Sequence, residues 1–195
     1  MLPDNTYSSL AIPSLLMDPD TRVTSPLVDY ELGGTDLNNA SQGMRVKVWM
    51  AYLDGYAVKV KPAVGGTTTT LFTRGDIIEL ACAFDQNMRP AIAFLTTNQT
   101  LMLYWYDSVP ATFVFTSFGP AVSPRLSLDD KRRSQLGSRS DILLAYIRDN
   151  ALHYRQQRDR FTIERTLQTG FAPGTRLRTM GMGKGLRMQF ELILP

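Results

Sequence analysis

The feature that most narrows the fold is punctuation. Between Ile77 and Thr116, short β-rich runs (Ile77 to Phe84, Ala91 to Leu95, Leu101 to Tyr106, Thr112 to Thr116) alternate with turn clusters at Asp85-Gln86-Asn87, Thr96-Thr97-Asn98 and Asp107-Ser108. Runs this short, about 8 to 12 residues apart, suit an antiparallel meander and leave no room for helices of ordinary length. The nearest helical contender, Asp141 to Asp149, carries Ile142-Leu143-Leu144-Ala145-Tyr146-Ile147 and reads better as a strand buried on both faces.

The runs also repeat. Leu80 to Asp85, Ala91 to Leu95, Asn98, Leu101 to Tyr104, Asp107 and Phe113 to Thr116 are answered by Pro124 to Asp129, Ile142 to Ile147, Asn150, Leu152 to Arg155, Asp159 and Phe161 to Glu164. Asp85 thus aligns with Asp129, Phe94 with Tyr146 and Asn98 with Asn150. The extra length of the second copy falls in the polar stretch Lys131 to Ser140, where a longer loop costs little. Each copy is near the roughly 40 to 45 residues of one four-stranded propeller blade. Two blades do not close a ring, since propellers need at least about four. The expectation is therefore an all-β chain: an antiparallel meander with two propeller-blade-like sheet units, about 77–120 and 121–170, packed sandwich-like and left with borders for other copies to cover.

Before the repeat, Arg45 to Leu53, Asp54-Gly55 and Tyr56 to Pro62 form a hairpin signal, because a tight primed turn needs positive φ. Val46, Val48, Met50 and Tyr52 are expected to share a face with Val58 and Val60, leaving Lys47, Lys59 and Lys61 in water. The tract Gly65-Gly66-Thr67 to Thr70 enters a strand at Leu71-Phe72. At the other end, Leu186, Met188, Phe190 and Leu192 alternate with Arg187, Gln189 and Glu191, predicting a half-buried C-terminal strand over 186–194. Residues 1–42 show no sustained period, and Pro3, Pro13, Pro19 and Pro26 interrupt each apolar run. They read as an extended N-terminal arm preceding a β domain over 43–195.

Charge is unevenly placed. The chain of 195 residues has a formal net charge of +3, yet residues 1–124 hold seven Lys/Arg against eleven Asp/Glu, and residues 125–195 hold fourteen against seven. An acidic arm (Asp18, Asp20, Asp29, Glu31 among its acids) and a basic body suggest that copies complement one another. Arg148, Arg155, Arg158, Arg160 and Arg165 form a stripe interleaved with Tyr154 and Phe161. The interspersed Asp149, Asp159 and Glu164 argue against a phosphate track, so the stripe reads as a protein–protein or intersubunit surface and not as a nucleic-acid site.

Several chemistries are disfavoured. With one cysteine, Cys82, there is no internal disulfide, and with one histidine, His153, there is little material for a zinc site. No window approaches the roughly 18 to 20 apolar residues of a membrane helix, and MLPDNTYSSL lacks the basic start of a secretory signal. Gly181-Met182-Gly183-Lys184-Gly185 lacks phosphate-loop spacing and precedes a strand. Asp85, Asp107, Asp129, Asp130, Asp149 and Asp159 read as turn caps before they read as the paired acids of a glycosidase. The reading is of a protein without catalytic residues, metal or cofactor. Trp49, Tyr52, Trp105 and Tyr106 are candidate glycan-stacking rings, which makes a carbohydrate- or receptor-binding β module the alternative.

The phrases Phe84-Asp85-Gln86-Asn87-Met88, Tyr104-Trp105-Tyr106-Asp107, Ser123-Pro124-Arg125, Leu128 to Arg132, Asp141 to Arg148, Gln157 to Phe161 and Met182 to Leu192 resemble tailed-bacteriophage virion structural proteins of modest size. The resemblance spans about residues 43–195. It implies a tail component of the virion, made in the host cytoplasm and repeated around a symmetric axis as an adaptor, a nozzle or baseplate part, or a fibre anchor. Its partners would be itself and other tail proteins, and no functional residue carries over from it.

Overall fold

The computed structural model describes residues 27–34, 46–62, 66–85, 89–129, 141–182 and 188–195. The described chain is all-β, with one short 3-10 turn at Gln157–Asp159. Its strands are β1 (Val28–Gly34), β2 (Val46–Asp54), β3 (Ala57–Pro62), β4 (Thr69–Thr73), β5 (Ile77–Phe84), β6 (Pro90–Thr96), β7 (Thr100–Asp107), β8 (Thr112–Pro120), β9 (Val122–Asp129), β10 (Asp141–Arg148), β11 (Ala151–Gln156), β12 (Arg165–Gln168), β13 (Arg176–Met182) and β14 (Met188–Ile193). They form three four-stranded antiparallel meanders, β1 to β4, β5 to β8 and β9 to β12, and a final two-stranded sheet, β13 and β14.

The sheets succeed one another in chain order, each sealed to the next by its own core. Ala51, Val58 and Val60 of the first meet Leu80, Cys82, Ile92 and Phe94 of the second. The opposite face of the second sheet, with Ala93, Leu101, Leu103 and Trp105, meets Leu126, Ile142, Leu144 and Tyr146 of the third. Ala145, Ile147 and Leu152 then meet Leu177, Phe190 and Leu192. Because successive side chains alternate sides, the middle sheets are apolar on both faces; β10 is buried along all but its last residue. The opening strands pack in series, β1 on β5, β5 on β9 and β9 on β13, and no comparable packing joins β13 to β1 among the described residues. Arg125 on β9 fastens three of these strands: Nη1 donates to Glu79 Oε1 of β5 at 2.6 Å, and Nε donates to the Arg178 carbonyl of β13 at 2.7 Å.

Three expectations need correction. Val28–Gly34 is not part of an arm: it is β1, paired along its whole length with β2. Its Leu-Val-Asp-Tyr-Glu-Leu alternation is too short to stand out alone and gains its meaning from the partner strand. Second, the hairpin faces are shifted. The turn at Gly55-Tyr56 sets Asp54 opposite Ala57, so Ala51 faces Val60 and Leu53 faces Val58, while Tyr52 lies opposite Lys59 and Met50 opposite Lys61. A two-residue turn fixes the register, and that register puts the even-numbered residues of β2 on the lysine side. Third, the hairpin expected before two sheet units is the middle of a further four-stranded meander, β1 to β4. The C-terminal strand is present as β14, paired with β13.

Candidate functional site

The five arginines of the basic stripe converge on carboxylates of their own chain. Arg148 on β10 and Arg155 on β11 both reach Glu164, at 2.7 and 3.0 Å. The Tyr146 hydroxyl donates to the same carboxylate and accepts from Arg155 Nε at 2.8 Å. His153 Nδ1 lies 3.2 Å from Thr166 Oγ1 and 3.6 Å from Glu164 Oε1. Arg148 also donates to the carbonyls of Phe118 and Pro120 at 2.6 and 2.7 Å, and Arg155 to those of Phe161 and Thr162 at 2.8 and 3.0 Å. Arg158 pairs with Asp141, Arg160 with Asp107 at 2.5 Å, and Arg165 with Asp159 at 2.6 Å. Pairing of Leu144 with Arg155 puts Arg148 and Arg155 on one face of the β10–β11 pair, where Glu164 meets both, while Arg165, opposite Tyr154, lies on the other face.

The electrostatics follow from this wiring. Burial pushes Glu164 upward, but the Tyr146 hydroxyl and the two guanidiniums outweigh it and hold the carboxyl below its ordinary range. Asp107 behaves likewise: desolvation is offset by Arg160 and the Val109 amide, and the net shift is downward. The Tyr146 hydroxyl is pushed up to about 12, first by burial and then by Glu164. Glu164 and Asp107 are therefore anions at neutral pH and Tyr146 keeps its proton, whereas a glycosidase acid is a carboxyl that retains its proton. Asp85 and Asp107 cap turns as expected, accepting from the amides of Arg89 and Val109 at 2.8 and 3.0 Å. Among the described residues no cluster of His, Cys, Asp or Glu could hold a metal ion.

The four candidate stacking rings do not gather. Trp105 is 3% exposed, sits edge-on against Phe161, and donates Nε1–H to Thr116 Oγ1 at 3.0 Å, so it offers no face to a sugar. It points into the core between the second and third sheets because β7 is covered on that side. Trp49 packs on Phe84 at 5.2 Å with its Nε1 buried and without a hydrogen bond. Tyr52 lies under Lys61, on the first sheet's outer face. Only Tyr106 borders an exposed aromatic surface, with the Arg89 guanidinium 3.7 Å from its ring centre. Of the arm acids, Asp18 and Asp20 lie outside the described residues, as does the segment 183–187; Asp29 and Glu31 fall in β1, at positions whose side chains are not described.

The aromatic surface beside Tyr106 escaped the sequence reading. It belongs to β8, the outermost strand of the second sheet. Phe113 stacks on Tyr104 at 4.9 Å and meets Tyr106 edge-on, and Phe115 meets Phe72 edge-on at 5.1 Å. Both are open to solvent, at 37% and 50%. The signal was present: Thr112 to Pro120 carries three phenylalanines and no charged residue. Its meaning depends on β8 being an edge, which only strand order decides. Compared with known proteins, the chain matches no family model, no curated protein and no solved structure.

Proposed function

We propose that this chain is a non-enzymatic structural subunit that assembles with copies of itself, in the setting its sequence resemblance implies: a bacteriophage tail, as an adaptor, a nozzle or baseplate part, or a fibre anchor. One observation carries the assembly reading. Among the described residues, four sheets stack in series through their opening strands, the last has two strands where the others have four, and no packing comparable to that between neighbours joins the two ends of the series. A blade-like series of this kind leaves sheet borders uncovered, and oligomerisation is the ordinary means of covering them. The acids held as anions by arginine partners support a structural role for the charged groups over an acid–base one.

The arm's part is tested by truncation, and the place to cut is after residue 26, since Val28–Gly34 belongs to the first sheet. Light scattering on the full chain is expected to give a multiple of the chain mass, and the truncated chain a smaller one. An unchanged mass removes the arm from self-association; a monomeric full chain removes the assembly reading altogether. The tail setting is tested separately by imaging labelled particles, where label away from the tail would overturn it.

A further inference from the structure

We infer that β8 is a self-pairing edge: Thr112 to Ser117 of one copy lies antiparallel against the same segment of a second copy, joining two sheets into one. The inference rests on the assembly reading above and names where one contact is made.

A strand at a sheet edge presents unpaired N–H and C=O groups, and proteins blunt such edges with shortness, charge or cover. The outer strand of the first sheet, β4, is five residues long, and that of the third, β12, is four and carries Arg165. The outer strand of the second, β8, is nine residues long with no Lys, Arg, Asp or Glu. Its far end is held down, since Arg148 occupies the carbonyls of Phe118 and Pro120. Among the described residues, no backbone partner reaches Thr112 to Ser117 from the side away from β7. The stretch left open has the length of an ordinary strand.

The composition of β8 selects the occupant. A two-fold axis places a strand antiparallel to its own copy, so a single patch suffices for a closed contact. A charged strand would repel itself in that arrangement, and β8 carries no charge. An acidic segment such as the N-terminal arm would find nothing in β8 to answer its charge. Thr112, Val114 and Thr116 are β-branched residues that suit pairing, and the half-exposed Phe113 and Phe115 give aromatic cross-strand contacts that a second copy would cover.

The test uses the full chain carrying Phe115→Lys, Phe115→Glu or, outside the aromatic cluster, Ser117→Lys. Light scattering is expected to give each variant half the wild-type mass with unchanged circular dichroism. An equimolar mixture of the Phe115→Lys and Phe115→Glu chains should regain the full mass, because the two opposite charges meet across the axis. If the lysine variants keep the mass of an oligomeric wild type, β8 is not the contact while assembly itself stands. If the mixture stays at half mass, β8 meets some other surface and the two-fold pairing is overturned. A wild type that is monomeric at every concentration overturns both readings.

Discussion

At the scale of single residues, the clearest lesson is Glu164. It sits near the end of a loop, outside any strand, yet it anchors Tyr146, Arg148 and Arg155 from two neighbouring strands. Replacing it with glutamine removes the anion and leaves Arg148 and Arg155 with neutral acceptors alone, the carbonyls they already reach and the new amide oxygen. Glu164→Gln is expected to cost about 1 to 3 kcal/mol at neutral pH. The sign with pH follows from the downward shift of the carboxyl. A carboxyl with a depressed folded value contributes stability above its unfolded value of about 4.3 and loses it as pH falls through the folded value. The gap between wild type and variant in urea midpoint should therefore be present at pH 7 and shrink near pH 3. Equal gaps at the two pH values would show that Glu164 acts through packing alone. The stripe of arginines was visible in the sequence with two of its acids, Asp159 and Glu164, among them; Asp107 and Asp141 were not, because Arg160 reaches Asp107 across 53 positions and Arg158 reaches Asp141 across 17.

At the scale of elements, turn chemistry proved the most reliable guide where it was read through to register. Asp54-Gly55 placed the β2–β3 hairpin, and Gly55 takes φ +60°, which L side chains rarely adopt. A Cβ there would meet nothing within 4 Å, so a substitution is opposed by backbone strain and not by crowding. Gly55→Val is expected to lower stability by about 1 to 2 kcal/mol in chemical denaturation. A neutral result would mean that the turn relaxes to another type. The same turn shows how a correct hairpin can carry a wrong face assignment, since alternation leaves two sides and only the pairing of Asp54 with Ala57 chooses between them. β1 was missed for a related reason. Val28–Gly34 becomes a strand by pairing with β2, whose own pattern was already legible.

At the scale of the whole molecule, the three cores lie in series and share no residues. A chain built this way approaches a row of units coupled to nearest neighbours, so damage at one end need not spread. Leu177 is fully buried in the last core. Leu177→Ala removes the methine and both methyl groups of the side chain there and is expected to cost about 2 to 5 kcal/mol locally. Hydrogen exchange should quicken in β13 and β14 while β5, β6 and β7 keep their protection. A uniform loss of protection would show that the four sheets open as one unit. The all-β class, most of the strand runs, the presence of a hairpin at Gly55 and the aligned positions that fall in two successive meanders were legible in the sequence, because short-range alternation and turn residues act within a few positions. The meander over β1 to β4, the burial of Trp105, the pairing of Arg160 with Asp107 and the exposure of β8 came only from tertiary structure, because each depends on which strand or loop comes to lie beside another far along the chain.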